Sequence, residues 1–289
     1  MRKTDLGGVL SMLGAVLFFA MMDACLKQMA ANYGPMQVTF FRGAAGLPFV
    51  LALGLYRNTW RVLIPVRWRL HVLRGALSVL TLYTFVYSVS VLSLGDAYSI
   101  FLAAPLIVTA LSALLLHEHV GWRQWVAICA GLTGALIMLR PSGASIATVG
   151  GLAALAAAAM YALGVILIRV ATRTDTAAAT VFWTLLVLTG LSGLLSISTW
   201  RPLRPEHWIW VLLIGVTGAI GQWLLTDAFR RCEASVVAPF EYSALLWGVA
   251  LDWVVWQVLP NQRMLFGSAI VIGSGLYLIL RERRAITPV

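Results

Sequence analysis

Of 289 residues, 61% are hydrophobic and only 11% are Asp, Glu, Lys or Arg. A soluble domain carries about 25% charged residues, so this chain could not cover a compact globule with polar surface, and the bilayer is the solvent that removes the problem. The net charge of +10 would suggest nucleic acid in a soluble protein. Here the basic residues sit between apolar runs, where they set orientation and meet anionic head groups, and no basic face or stacking motif accompanies them.

Ten apolar segments follow one another at approximately 7–30, 35–56, 70–91, 96–116, 122–140, 148–170, 177–199, 207–229, 234–256 and 264–281. At 1.5 Å per residue each is long enough to cross a hydrocarbon core about 30 Å thick. The expected fold is therefore all-α, with ten transmembrane helices. Arg2 and Lys3 before the first run imitate a signal peptide, but the run extends to Ala30 and includes Asp23 and Lys27, so it reads as a retained span. Cys25, Cys129 and Cys232 show no metal or disulfide spacing and read as free thiols.

The first two segments each embed a charge, Asp23 and Arg42. Both lie roughly 10–12 Å from the short loop that joins the segments. An unpaired charge there costs at least about 2.5 kcal/mol, so the two are expected to pair, with Lys27 a competing partner for Asp23. Tyr83 and Tyr87 stand one turn apart on the third segment. Pro105 falls in the fourth and Pro239 in the ninth, where each removes a backbone donor and suggests a hinge. Gly131 and Gly134, and Gly215, Gly218 and Gly221, repeat every three residues and read as close-packing ridges, as does the Ala-rich stretch 153–159. Gln222 and Trp223 on the eighth segment, with Tyr242, Ser243 and Trp247 on the ninth, are mixed aromatic and polar side chains within spans. With Tyr83 and Tyr87 they are the candidate lining of a cavity for a solute with apolar and polar parts. Asp227 and Glu241 lie near the ends of their segments, where either could pair with Arg230 or Arg231. Glu241, following Pro239, is the more suggestive of a coupling site.

With the N-terminus cytoplasmic, the basic residues divide 15 inside to 5 outside, which favours both termini in the cytoplasm. The chain also repeats itself. Phe19-Ala20-Met21 through Lys27 matches Tyr161-Ala162-Leu163 through Arg169 at an offset of 142, and Phe40-Phe41 matches Phe182-Trp183 at the same offset. Five helices per repeat is an odd number, so residues 142–289 should enter the membrane from the opposite side to residues 1–141. Inverted repeats of this kind support alternating access around a site near the midplane.

Tyr87-Ser88, Asp96-Ala97-Tyr98-Ser99, Pro105-Leu106, Glu118, Gln124-Trp125 and Gly134 together resemble the EamA module of the drug/metabolite transporter superfamily. Phe40-Phe41-Arg42-Gly43 and Met160-Tyr161-Ala162 to Arg169 are similar to its second and first helices. The second copy departs at Tyr242, which stands where the first has Pro105, and lacks a carboxylate matching Glu118. Within the superfamily the chain looks like bacterial amino-acid and metabolite exporters of the YddG type. The resemblance implies export from the cytoplasm by alternating access through a central cavity.

Enzyme chemistry finds little support. His71, His117, His119 and His207 fall in or beside loops, the His117-Glu118-His119 run lacks helical metal-site spacing, and no P-loop or GxSxG is present. Glu118 reads as a helix cap or anchor. The expectation is an inner-membrane exporter of amino acids, aromatic or of broad range, and related metabolites. Its partners are a small-molecule substrate and the lipid bilayer, the chain acting as a monomer without nucleic acid, cofactor or metal. The alternatives are movement of drugs or sugar conjugates on the same fold, and an intramembrane enzyme acting on lipid.

Overall fold

In a computed structural model the described residues are 6–57, 63, 67–92, 97, 100–139, 148–247, 250 and 262–284, and among them every regular element is helical. Five helices comprise α1 (Leu6–Ala30), α2 (Pro35–Arg57), α3 (Trp68–Val91), α4 (Ala104–Leu115) and α5 (Trp122–Leu139). They are followed by α6 (Val149–Ala171), α7 (Ala177–Ser196), α8 (Trp208–Arg231), α9 (Ala234–Val237) and α10 (Gln262–Arg284). Thr148 and Thr176 cap the starts of α6 and α7, their hydroxyls accepting from the backbone N–H of Gly151 and Ala179.

Five helical stretches among these residues are long and apolar enough to cross a membrane: Leu6–Ala30, Trp68–Ser88, Val149–Ala171, Ala177–Thr199 and Pro205–Arg231. Ala104–Leu115 and Leu265–Ser274 are shorter apolar pieces. Large apolar side chains such as Leu114, Val149, Ile197 and Phe266 are exposed, a surface suited to acyl chains rather than water.

The structure alters two of the expected segments. In place of an unbroken 96–116 helix, the chain turns at Leu102 and Ala103, and α4 begins at Ala104. Pro105 lies in the first turn of α4, where its missing N–H would have had no intrahelical acceptor. The ninth segment is likewise not one continuous α-helix: α9 ends after four residues, and Ala238–Tyr242 is a tighter 3-10 stretch carrying Pro239 at its start. Residues 93–96, 98–99, 140–147 and 251–261 lie outside the described residues, so Asp96, Tyr98 and Ser99 of the motif and the far half of the ninth segment do too.

The largest helix–helix interfaces all join the first five helices to the last five: α1 with α8, α5 with α10, α3 with α6, and α2 with α7. The α8 glycines make two of these close approaches. A Cβ at Gly215 would come within 2.6 Å of Ala45, and one at Gly221 within 2.9 Å of Phe19. The expected packing ridge is present, wedged between α1 and α2.

Contact order along each pair gives the helix directions. Ser11 meets Asp227 while Phe19 meets Gly221, so α1 and α8 run antiparallel. Ala45 meets Gly215 and Gly46 approaches Ala219, so α2 and α8 run parallel. Phe40 meets Gly193 and Gly46 meets Leu185, so α2 and α7 are antiparallel. Arg74 meets Thr180 and Gly75 meets Val187, so α3 and α7 are parallel. Val91 lies against Gly150, and Arg74, nearer the start of α3, is coupled to Tyr161, further along α6, so α3 and α6 are antiparallel.

Candidate functional site

Arg74, one of the 15 basic residues that the charge count places on the cytoplasmic side, does not sit at the surface. It is buried within α3, and its guanidinium donates to the Thr180 carbonyl at 3.0 Å and to the Thr184 hydroxyl. Both acceptors lie one turn apart on α7, and Thr184 in turn donates to the Thr180 carbonyl. Arg74 is therefore held by neutral acceptors, and its charge has no carboxylate bound to it in this set of contacts.

That charge acts on Tyr161 of α6, and so does the charge of Arg42. Tyr161 donates its hydroxyl hydrogen bond to the carboxylate of Glu241 in the 3-10 stretch. Tyr161 is thus the meeting point of four elements: its own helix, α2 through Arg42, α3 through Arg74 and the broken ninth segment through Glu241. Its ring stands 5.7 Å from that of Phe101, which in turn stands 5.1 Å from Phe85. A row of three aromatic rings so leads up to the charged groups.

Arg42 lies over the ring of Phe19 at 5.7 Å, within cation–π range, and is attracted by Asp23. The side chain of Lys27, the competing partner for Asp23, lies outside the described residues. Gly218 leaves room for Met22, whose sulfur a Cβ there would approach to 2.9 Å, and Arg42 lies alongside, its Cγ and Nε 3.8 Å from the same point. Gln222 follows one turn further along α8 and is buried. Several polar atoms here are buried without a hydrogen-bond partner among the described residues: Arg42 Nε, Gln222 Nε2, Glu241 Oε1, Ser243 Oγ and Trp247 Nε1. Buried polar atoms are nearly always bonded, which sets these atoms apart among the described residues.

The other candidates distribute unevenly. Trp247 and Tyr161 pack on the same apolar cluster, whose buried members include Val9, Met12, Val108 and Phe229. Trp223 is half-buried on α8. Tyr242 is fully buried, but its ring lies under Gly131 and joins Ile128, Ala135 and Val271, between α5 and α10. Tyr83 and Tyr87 are 40% and 37% exposed, on the stripe of α3 that also carries Leu80 and Val91. The opposite stripe, with His71, Arg74, Val79 and Leu82, is the buried one. The structure does not bring these two tyrosines to Tyr161. Sequence reasoning gave Arg74 and Phe101 no place in the site, and noted Tyr161 only as the repeat counterpart of Phe19 and as part of the module pattern.

Both ends of the bundle are tied. At one end Gln37 bonds both polar groups of the Arg201 backbone at 2.6 and 3.0 Å, and the Tyr33 hydroxyl meets His207 at 2.9 Å. At the other, Glu118 accepts from the N–H groups of Ala234 and Ser235 at 3.3 Å, capping α9 as expected of a helix anchor. Arg169 lies 3.5 Å from the same carboxylate and donates to the Phe229 carbonyl that closes α8. A cavity of about 370 Å³ opens beside this cap, lined by His117, Glu118, Arg169, Arg173 and Glu233 among others. His71, expected beside a loop, is instead fully buried, its Nε2 2.5 Å from Asp175.

Known proteins share this organisation. A riboflavin transporter of Vibrio cholerae is 28% identical over 98% of this chain and 96% of its own. An S-adenosylmethionine uptake transporter of Rickettsia bellii is 24% identical over 92% and 90%, and the pseudopaline exporter CntI of Pseudomonas aeruginosa 27% identical over 92% and 93%. A crystal structure with 19% sequence identity superposes with a TM-score of 0.82, covering 97% of this chain and 99% of the other, which establishes a shared fold. The profile of the EamA-like transporter family matches twice, at residues 6–140 and 148–281, one match for each five-helix half. The chain is a multi-pass integral membrane protein of two EamA modules, and it belongs to the EamA-like transporter family of the drug/metabolite transporter superfamily.

Proposed function

We propose that this protein exports amino acids and related small metabolites from the bacterial cytoplasm across the inner membrane by alternating access. The observation that carries the reading is the bond between the half-buried Tyr161 and the buried Glu241, with Arg42 and Arg74 of the first module acting on the same tyrosine. A charged, hydrogen-bonding site with an aromatic flank suits a small solute with a polar head and an apolar side chain. S-adenosylmethionine, named for one relative, is itself an amino-acid derivative, and one relative is named as an exporter.

In this reading ten spans form two inverted halves, residues 1–141 and 142–289, with both termini cytoplasmic. The helix directions support inversion: followed from α1 through α8, α2, α7 and α3 to α6, they leave the equivalent helices α1 and α6 pointing opposite ways. Pro105 and Pro239 mark breaks in equivalent segments and act as hinges beside the site. Gln222, Ser243 and Trp247 line it, with Trp223 at its margin and Tyr242 behind it. Tyr83 and Tyr87 face lipid. Transport is driven by the solute gradient or by protons.

Purified protein in proteoliposomes should accumulate labelled amino acids faster than empty vesicles do. The names of the relatives favour one second reading, movement of a larger metabolite such as a flavin. Riboflavin, sugar conjugates and cationic drugs therefore belong in the same assay, and transport of these without any amino acid would overturn the first reading.

A further inference from the structure

One carboxylate of the first module holds three helix ends of the second. Glu118, in the turn between α4 and α5, accepts at 3.3 Å from the Ala234 N–H, the Ser235 N–H and the Ser235 hydroxyl at the start of α9. It lies 3.5 Å from Arg169, near the end of α6, which in turn donates to the Phe229 and Arg230 carbonyls at the end of α8. The turn is shaped to present it. The Glu118 N–H reaches the Ser112 carbonyl at 3.2 Å, and His117 takes a φ of 54°, a left-handed conformation that persists where the surroundings enforce it.

Three features mark this tie as one that opens. The cavity beside it is lined by both modules, by His117, Glu118 and His119 from the first and Arg169, Arg173 and Glu233 from the second. Water in that space can take over the two α9 N–H groups and the carboxylate when they part, so separation strands no donor or acceptor. The closed tie itself leaves Arg169 Nε and Glu233 Oε2 buried without a hydrogen-bond partner among the described residues, a cost that opening relieves. Finally, α9 is a single turn running into a 3-10 stretch, so no long helix fixes its start. The second module has no carboxylate matching Glu118. The two ends of the bundle are thus closed by unlike chemistry, for at the opposite end the neutral Gln37 amide holds the Arg201 backbone.

We infer that Glu118 is the gating residue of its end of the bundle, cytoplasmic in the proposed orientation. While it grips α9 and Arg169 the central site is shut from that side, and its release opens the path. Gln37 keeps the opposite end closed, and cutting either tie biases the protein toward opening at that end. This rests on the alternating access of the proposed function, but not on which solute moves.

The first test reads accessibility rather than transport. Ser243→Cys, in a full chain whose Cys25, Cys129 and Cys232 are replaced by Ser, is labelled with a membrane-impermeant maleimide in inside-out and right-side-out vesicles. Glu118→Ala should raise the labelling rate from the Glu118 face at least about tenfold, the population shift expected of one lost charge-assisted hydrogen bond, and leave the other face unchanged. Gln37→Ala should act only from the opposite face. Equal increases from both faces after Glu118→Ala, or none from its own, would overturn the gate. A second arm guards against a variant that fails to fold, by holding the tie shut. In the same cysteine-replaced chain, Glu118→Cys and Ser235→Cys are joined by a short cleavable bifunctional thiol reagent. Uptake of labelled phenylalanine into proteoliposomes should cease on joining and return on cleavage, and undiminished uptake by the joined protein also overturns the gate. If the unjoined protein moves no phenylalanine, the amino-acid reading falls, and labelling still decides the gate.

Discussion

Tyr161 donates its hydroxyl to Glu241, tying α6 of the second module to the 3-10 stretch that interrupts the ninth segment. The bond links an aromatic hydroxyl to a carboxylate whose other oxygen has no partner among the described residues. Tyr161→Phe keeps the ring on Phe101 and removes only the donor. Leaving that acceptor buried and unpaired costs about 1–3 kcal/mol, so this variant should insert normally and lose about tenfold or more in initial transport rate. Wild-type rates at equal protein density would show that the bond has no role in transport.

His71 and Asp175 form a second buried polar pair, remote from Tyr161 in sequence register and joining the start of α3 to the turn between α6 and α7. Removing either partner leaves the other buried without its bond. His71→Ala and Asp175→Ala are each expected to lower stability by about 1–3 kcal/mol, and the double variant by clearly less than the sum. Thermal unfolding in detergent measures this, and additive losses would contradict the coupling.

Glu118 caps α9 from a different module. Glu118→Ala removes both backbone bonds and the Arg169 contact, and should cost about 0.5–2 kcal/mol, the range of lost helix caps. Glu118→Gln, which retains an acceptor oxygen, should recover part of the loss in the same unfolding measurement.

Steric tolerance separates two glycines. Gly215 lies against the Ala45 backbone, whereas a Cβ at Gly164 would meet nothing within 4 Å. Gly215→Val should destabilise by about 1–3 kcal/mol through overpacking, while Gly164→Ala should be neutral or slightly stabilising through helix propensity. Equal melting temperatures for the two variants would refute the packing role of the α8 ridge.

Topology gives a further check. Reporter fusions after Glu233 should read cytoplasmic, and fusions after Pro141 external. The opposite pair of readings would reverse the proposed orientation.

Helix positions were legible in the sequence because apolar run length is set by bilayer thickness, and α1, α2, α6 and α7 start and end within a residue or so of the expected limits, except for the C-terminal end of α7. The breaks at 102–103 and 238–242 were not legible, although both prolines were noted: apolar composition is the same whether a helix continues or turns. The site was partly legible. Arg42 and Asp23 stood out because charge is rare in such segments, and Gln222 because amides are. Arg74 did not, since a basic residue near a segment end usually marks the interface, and only packing against Thr180 and Thr184 turns it inward. Tyr83 and Tyr87 misled because residue type does not reveal facing, and the four-residue spacing that aligned them with each other also aligned them with Leu80 and Val91.

The pairing of α1 with α8 and of α3 with α6 has a consequence for biosynthesis. When α1 leaves the ribosome its main partner is some two hundred residues from being made, and the same holds, to a lesser degree, for α3. The first module must therefore wait in the bilayer with its future interfaces covered by lipid, its embedded Asp23 and Arg42 included. Assembly is completed late, when α8 arrives and its glycine ridge displaces lipid from α1 and α2 together. A nascent chain truncated before Trp208 would be inserted but unassembled, and so exposed to the membrane's quality-control proteases.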